Sequence, residues 1–259
     1  MFLYLAILTV LVASGRGHEN SAVEKLIGGT IAAEGEFPYL VSLRVISSKN
    51  VLEHFCGGAI LSQIWVLTAA HCTTSYKMEK LVVVVGTNQL WSDGLHYRVS
   101  KIIRHENYDP DRIQNDVALL KLNQPIKNVR KVASIPLTTE YTPAGVDLVV
   151  AGWGNNNTKG NNKRQNTQLK KVTVKSINND ECKRDLGKMT YKTPVTKKNI
   201  CTFKADSQAT CYGDSGGPLV GKGKLVGITS WANTCGRGKP DVFARVSEFA
   251  EWIQKKMKQ

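Results

Sequence analysis

The chain has 259 residues, 42% of them hydrophobic and 22% charged, with a formal net charge of +14 at pH 7. That balance suits a folded protein able to bury one large core or two smaller ones, and it excludes a disordered or low-complexity chain. Beyond an apolar run at 2–13, no segment is apolar enough to cross a membrane, which leaves a soluble product.

The run at 2–13 is itself too short to span a bilayer and is followed by small residues, the layout of a secretory signal peptide. No Lys or Arg precedes it, which departs from that layout. The signal peptide is placed at 1–17, with cleavage after Gly15 or Gly17 left open, so the mature protein is expected to be secreted and extracellular. Short β-rich runs follow at 39–46, 59–67, 81–85, 96–104, 117–122, 148–151, 169–174, 224–231 and 242–246. Many short strands at roughly 8–12-residue spacing predict an all-β sandwich or barrel.

The polar stretch 155–168 has no period and is expected to be a mobile surface loop; Asn156-Asn157-Thr158 within it is a glycosylation sequon. Between Lys159 and Lys204, thirteen Lys/Arg stand against three Asp/Glu. Such an excess suits anionic surfaces or glycans, or simply makes a solvated basic face, which is the preferred reading. No aromatic interleaving accompanies it, so no specific nucleic acid is expected. Only the last segment reads as a substantial helix. Ser247 caps it, Glu248 suits its first turn, and Phe249, Trp252, Ile253 and Met257 share a face, with Lys255, Lys256 and Lys258 at its negative end.

Six cysteines in a secreted chain predict three disulfides, with fifteen connectivities open to sequence alone. A zinc site is disfavoured, because no Cys-x-x-Cys pair is present.

Three segments carry chemistry. Gly213-Asp214-Ser215-Gly216-Gly217-Pro218 sets a serine between glycines, where the backbone can bend sharply and bring N–H groups close to a substrate carbonyl. A serine hydroxyl needs an adjacent base to act as a nucleophile. Thr68-Ala69-Ala70-His71-Cys72 offers that base, and Asn115-Asp116-Val117-Ala118-Leu119-Leu120 offers an acid inside an apolar strand. His18, His54, His96 and His105 lack such a context and are read as structural.

Together, and in this order, the three motifs resemble the trypsin/chymotrypsin family of serine endopeptidases, from Leu26 to the C-terminus. The resemblance implies two six-stranded antiparallel β-barrels with the active site between them and a C-terminal α-helix. The N-terminal barrel would occupy 26–136 and the C-terminal barrel with its helix 137–259, together one peptidase domain at 26–259. It also implies Ser215 as nucleophile, His71 as general base and acid, Asp116 as orienting carboxylate, and the N–H groups of Gly213 and Ser215 as oxyanion hole. The disulfides would pair Cys56–Cys72, Cys182–Cys201 and Cys211–Cys235.

By the same resemblance, Lys25-Leu26-Ile27-Gly28-Gly29 is an activation junction, with a propeptide at 18–25. Cleavage after Lys25 by a trypsin-like protease would free the Leu26 amine to pair with Asp214. Leu stands where the family usually has Ile or Val. The substrate pocket would be lined by Ala209 at its base, where trypsins carry Asp, with Ser230, Trp231 and Ala232 as one wall and Asp241 at the back. This pocket is similar to those of arthropod chymotrypsin-like and broad-specificity collagenolytic proteases. Asp241 would receive a basic side chain, hold a water under an apolar one, or pair with Lys239 or Arg237.

The family's calcium loop would fall between Gly86 and Tyr97, where Asp93 is the single carboxylate, so neither metal nor other cofactor is expected. The expected partners are protein or peptide substrates, the activating protease and protein protease inhibitors, with a monomer as the default. A non-catalytic protease-fold protein that binds anionic partners is the second reading, disfavoured because all three motifs and Asp214 stand intact. An α/β-hydrolase esterase is excluded by the motif order His, Asp, Ser and by the lack of a strand-to-helix setting for the serine.

Overall fold

The computed structural model describes residues 29–49, 51–91, 94–154, 167–204, 214–232 and 238–259. The signal peptide, Lys25 and Leu26, Asp93, the sequon at Asn156, Ala209, Cys211, Gly213, Cys235 and Arg237 lie outside these residues. In chain order the strands are β1 Thr30–Ile31, β2 Leu40–Ile46, β3 Leu52–Ile60, β4 Trp65–Thr68, β5 Leu81–Val85, β6 Leu95–Arg104, β7 Ala118–Leu122, β8 Asp147–Gly152, β9 Lys170–Ile177, β10 Asn199–Phe203, β11 Pro218–Gly221, β12 Lys224–Ala232 and β13 Asp241–Arg245. The helices are α1 Asn179–Leu186, α2 Met189–Lys192 and α3 Val246–Met257.

The strands form two closed six-stranded antiparallel barrels. The first runs β2-β3-β4-β7-β6-β5 and closes by β5 pairing back onto β2. The second runs β9-β10-β13-β12-β11-β8, closed by β8 on β9, with β1 added at the other edge of β9. Side-chain alternation explains these elements. In β9, Val172, Val174 and Ser176 are buried while Thr173 and Lys175 face solvent, the period of two of a half-buried strand. The β5 sequence Leu-Val-Val-Val-Val is buried throughout, with Val83 and Val85 in the first barrel's core.

Ile135 N–H donates to Ile60 O in the first barrel, whereas Leu137 bridges to Leu225 in the second. The chain therefore changes barrels between these two residues. One core cluster joins Leu67, Leu119 and Leu120 of the first barrel to Val246, Phe249 and Ile253 of α3. Trp65 Nε1 donates to Met257 O, so the helix that leaves the second barrel clamps the first.

Local expectations were revised in three places. The run at 59–67 is not one strand: it holds the end of β3 and the start of β4, reversed where Leu61 N–H bonds Trp65 O. The turn Ser62-Gln63-Ile64 has no Gly, Pro or Asn to announce it. Ser247 does not cap α3, because β13 runs directly into the helix and Arg245 occupies the cap position. The Arg245 guanidinium instead donates to Lys197 O, Asn199 O and Thr142 O. The third revision is α1, eight residues capped by Asn178, whose side chain accepts from Asp180 N and Glu181 N. It buries Cys182 and Leu186, one turn apart.

Candidate active site

Strand β7 and the turn after β4 bring the imidazole and the acid together. Asp116, 2% exposed, lies just before β7, and His71 opens a single 3-10 turn at 71–73 just beyond β4. β4 and β7 pair along their length, Thr68 opposite Ala118, so the two residues that follow and precede them meet at one barrel end. His71 Nδ1–H donates to Asp116 Oδ2 at 2.8 Å and His71 N–H to Oδ1 at 2.9 Å. This second bond fixes the carboxylate against the backbone that carries the ring. The His71 turn is itself held: Thr73 Oγ–H bonds Ala70 O, and Arg104 on β6 donates to Thr73 Oγ1 and Thr73 O.

A third donor to the same carboxylate comes from the other barrel. Ser230 on β12 donates its hydroxyl proton to Asp116 Oδ2 at 2.6 Å, and Ser230 is 5% exposed. The resemblance assigned Ser230 to the pocket wall only, so its bond to the acid went unpredicted. A serine in a β-strand carries no sequence signal for a partner 114 residues away. Tyr108 also feels this acid: burial first, then the Asp116 charge, pushes its phenol up to about 12.

The serine segment forms a tight turn. Gly217 N–H bonds Asp214 O at 2.9 Å, which makes Ser215 and Gly216 its central residues. Gly216 has φ +77°, and a Cβ there would stand 2.2 Å from Thr68 Oγ1 and 2.7 Å from Gly57 O, so glycine is required twice over. Ser215 O accepts from Gly57 N on β3, and Gly216 N–H donates to Thr229 O on β12. Cys56, the neighbour of Gly57, is disulfide-bonded to Cys72, the neighbour of His71. The half-buried Ser215 is thus tied by its backbone to the element that carries the histidine.

Asp214 is 2% exposed, and its Oδ1 accepts from Gly154 N at 2.8 Å. A Cβ on Gly152 or Gly154 would fall 1.9 or 2.2 Å from its carboxylate oxygens. The Gly152-Trp153-Gly154 spacing is therefore the room made for this acid, a signal present in the sequence but not read. Behind it Trp153 packs edge-on to His54, and the His54 Nδ1 meets Ser42 Oγ at 2.9 Å. Arg44 Nε–H donates to the same Ser42 oxygen.

Trp231, 9% exposed, packs with Cys182, Leu186, Cys201 and Val242 in the cluster held by the Cys182–Cys201 disulfide. Ala232 and Thr202 flank Asp241 in register on either side of β13, and Asp241 is 4% exposed. The Lys239 ammonium bonds Asp185 O at 2.6 Å. Ile113, at φ +50°, packs on the Trp231 cluster from the loop that leads to Asp116, a contact invisible in the sequence. Among the described residues the one close grouping of potential metal donors is Cys56, His71 and Cys72. Its two sulfurs form a disulfide and are not the thiolates a metal would take.

The comparisons agree with this geometry. The family model for trypsin matches residues 26–253. The chain is 36% identical over 235 residues to "Chymotrypsin-2" of Vespa crabro, covering 89% of this chain and 99% of that protein. It is 32% identical over 251 residues to "Trypsin" of Xenopus laevis, covering 95% and 96%, and 34% identical over 233 residues to "Serine protease 1" of Rattus norvegicus, covering 89% of each. The chain belongs to the trypsin family and is a serine endopeptidase. Protein substrates follow from that membership.

Proposed function

We propose that this endopeptidase is secreted as a zymogen and cleaves by an acyl-enzyme route through Ser215, His71 and Asp116, with a chymotrypsin-like or broad preference. The observation that carries the triad is the buried Asp116 carboxylate, which receives donors from both barrels and holds the His71 ring by Nδ1. With Nδ1 so engaged, Nε2 is left to take the Ser215 proton as Oγ attacks the substrate carbonyl. It then gives that proton to the leaving amine, and water resolves the acyl-enzyme by the same relay. The N–H groups of Gly213 and Ser215 stabilise the oxyanion, at about 3–4 kcal/mol per donor.

Activation is cleavage after Lys25 by a trypsin-like protease, after removal of the signal peptide at 1–17. The new Leu26 ammonium then enters beside Asp214, an acid buried next to the nucleophile. Losing one partner of such a buried pair costs about 3–5 kcal/mol, enough to leave the serine turn and pocket unformed. The mature peptidase domain is 26–259, a monomer divided at 136/137, stapled also by Cys211–Cys235 and accessible to protein protease inhibitors. Asn156 is a candidate glycosylation site.

In the pocket, Ala209 replaces the anionic base of a trypsin, and Ser230, Trp231 and Ala232 pair with the extended substrate. Asp241 supplies the second reading, a trypsin-like preference, because it is a buried carboxylate on β13. The deciding experiment is turnover of peptides that differ only in the residue before the scissile bond (Arg, Lys, Phe, Leu, Ala). The enzyme is cut after Lys25, with uncut and Ser215→Ala protein as controls. Cleavage after Phe or Leu is expected; cleavage confined to Arg and Lys gives the anchoring charge to Asp241. No turnover with Leu26 confirmed as N-terminus overturns the catalytic assignment.

A further inference from the structure

The outer face of the first barrel holds two cations in direct opposition. In the β6–β7 ladder Lys101 stands opposite Lys121, just past a bulge that follows Val99. Directly opposite like charges in a sheet repel, and neither lysine forms an ion pair among the described residues. Lys101 is exposed, whereas Lys121 is half-buried with its ammonium 5.3 Å from the centre of the Trp65 ring. The ring accounts for Lys121, whereas the exposed Lys101 has no such contact among the described residues.

More cationic charge converges on the same rung. Trp65 Nε1 binds the carbonyl of Met257, so the exposed Lys258 follows at this place. Arg98 lies exposed on β6 three residues before Lys101 and donates to the carbonyl of Glu79. Glu106, just after β6, is already paired with Lys256 of α3, and Glu251 forms no ion pair among the described residues. Lys121 lies five residues beyond Asp116, about 16 Å along the strand, so the patch is separate from the cleft.

We propose that this rung and its neighbours, Arg98, Lys101, Lys121 and Lys258, bind a sulfated polysaccharide. The disulfides place the chain in an oxidising compartment, where sulfated glycans are abundant polyanions. Single-stranded nucleic acid needs an exposed ring for base stacking, and the one ring here, Trp65, is 2% exposed. The surface is independent of the catalytic assignment.

The test is retention of the full chain on immobilised heparin, comparing Lys101→Gln/Lys121→Gln with the charge-matched Lys188→Gln/Lys192→Gln on the second barrel. The wild type is expected to stay bound at about 0.15 M salt. The Lys101/Lys121 variant should bind about tenfold more weakly, with a log–log salt slope shallower by roughly 1.5–2, whereas the Lys188/Lys192 variant should elute with the wild type. Equal loss in both variants, no retention of the wild type, or better competition by an oligonucleotide than by a heparin fragment overturns the proposal. Lys101→Gln alone, at an exposed side chain, should weaken heparin binding about threefold and guards against a folding defect in the double variant. After cleavage following Lys25, short-peptide turnover should be the same in all four proteins, because the patch lies outside the cleft.

Discussion

The two halves of the active site are built on different principles. The His71–Asp116 half belongs to the first barrel and is fixed by strand pairing, two hydrogen bonds to one carboxylate and a disulfide. The Ser215 half belongs to the second barrel and is fixed by close approach: a positive-φ glycine wedged against Thr68 and Gly57, and an acid lodged between Gly152 and Gly154. Side-chain chemistry specifies the first half and the absence of side chains specifies the second.

Changes that remove chemistry should cost most. Ser215→Ala or His71→Ala should lower turnover by about 10⁴-fold or more with Tm unchanged, read by peptide hydrolysis and calorimetry. A milder loss, with the fold intact, would sink the triad assignment. Filling the space beside Asp214 should come next. Gly154→Ala places a methyl 2.2 Å from the carboxylate, so that acid must move. The expected cost is at least about 2 kcal/mol, roughly 4–8 °C in Tm for a domain of this size, together with most of the activity.

Removing the donor that crosses between the barrels should cost less. Ser230→Ala deletes one of three donors to Asp116, a hydrogen bond to a charged group worth about 1.5–3 kcal/mol, and kcat/KM should fall about tenfold to 100-fold. An unchanged kcat/KM would make that bond incidental. Alkaline pH separates the halves without mutation. The Leu26 amine, with an ordinary pKa near ~8, must be protonated to pair with Asp214, so activity should be present below that range and fall as pH rises beyond the paired amine's raised pKa. Activity flat to about pH 11 would leave the serine half independent of that charge.

The smallest effect is expected away from the site. Glu106 is held down to about 2, first by its hydrogen bond to Lys256 and also by Trp252 Nε1–H. A lowered carboxylate pKa adds stability above about pH 4.3, and that contribution disappears as pH falls through about 2. The Glu106 side chain is exposed, so Glu106→Gln should cost only about 0–1 kcal/mol at pH 7, up to a few degrees in Tm, and nothing near pH 2. An equal shift at both pH values would mean that the glutamate acts by packing.

The sequence by itself determined the class of the protein. Short β-rich runs at short spacing specify an all-β chain, and Gly-Asp-Ser-Gly-Gly, Ala-Ala-His-Cys and Asn-Asp-Val-Ala-Leu-Leu carry the family resemblance that points to Ser215, His71 and Asp116. The Cys56–Cys72 and Cys182–Cys201 pairs, expected from resemblance alone, are present. Only the tertiary structure decided how the barrels meet. Ser230 on Asp116, Gly57 against Gly217, the Gly152/Gly154 slot and the Lys101–Lys121 rung each join residues from different strands or barrels. Local pattern records which face of a strand is buried, but not what lies across it, since that depends on register and barrel closure rather than on any one residue's neighbours in the chain.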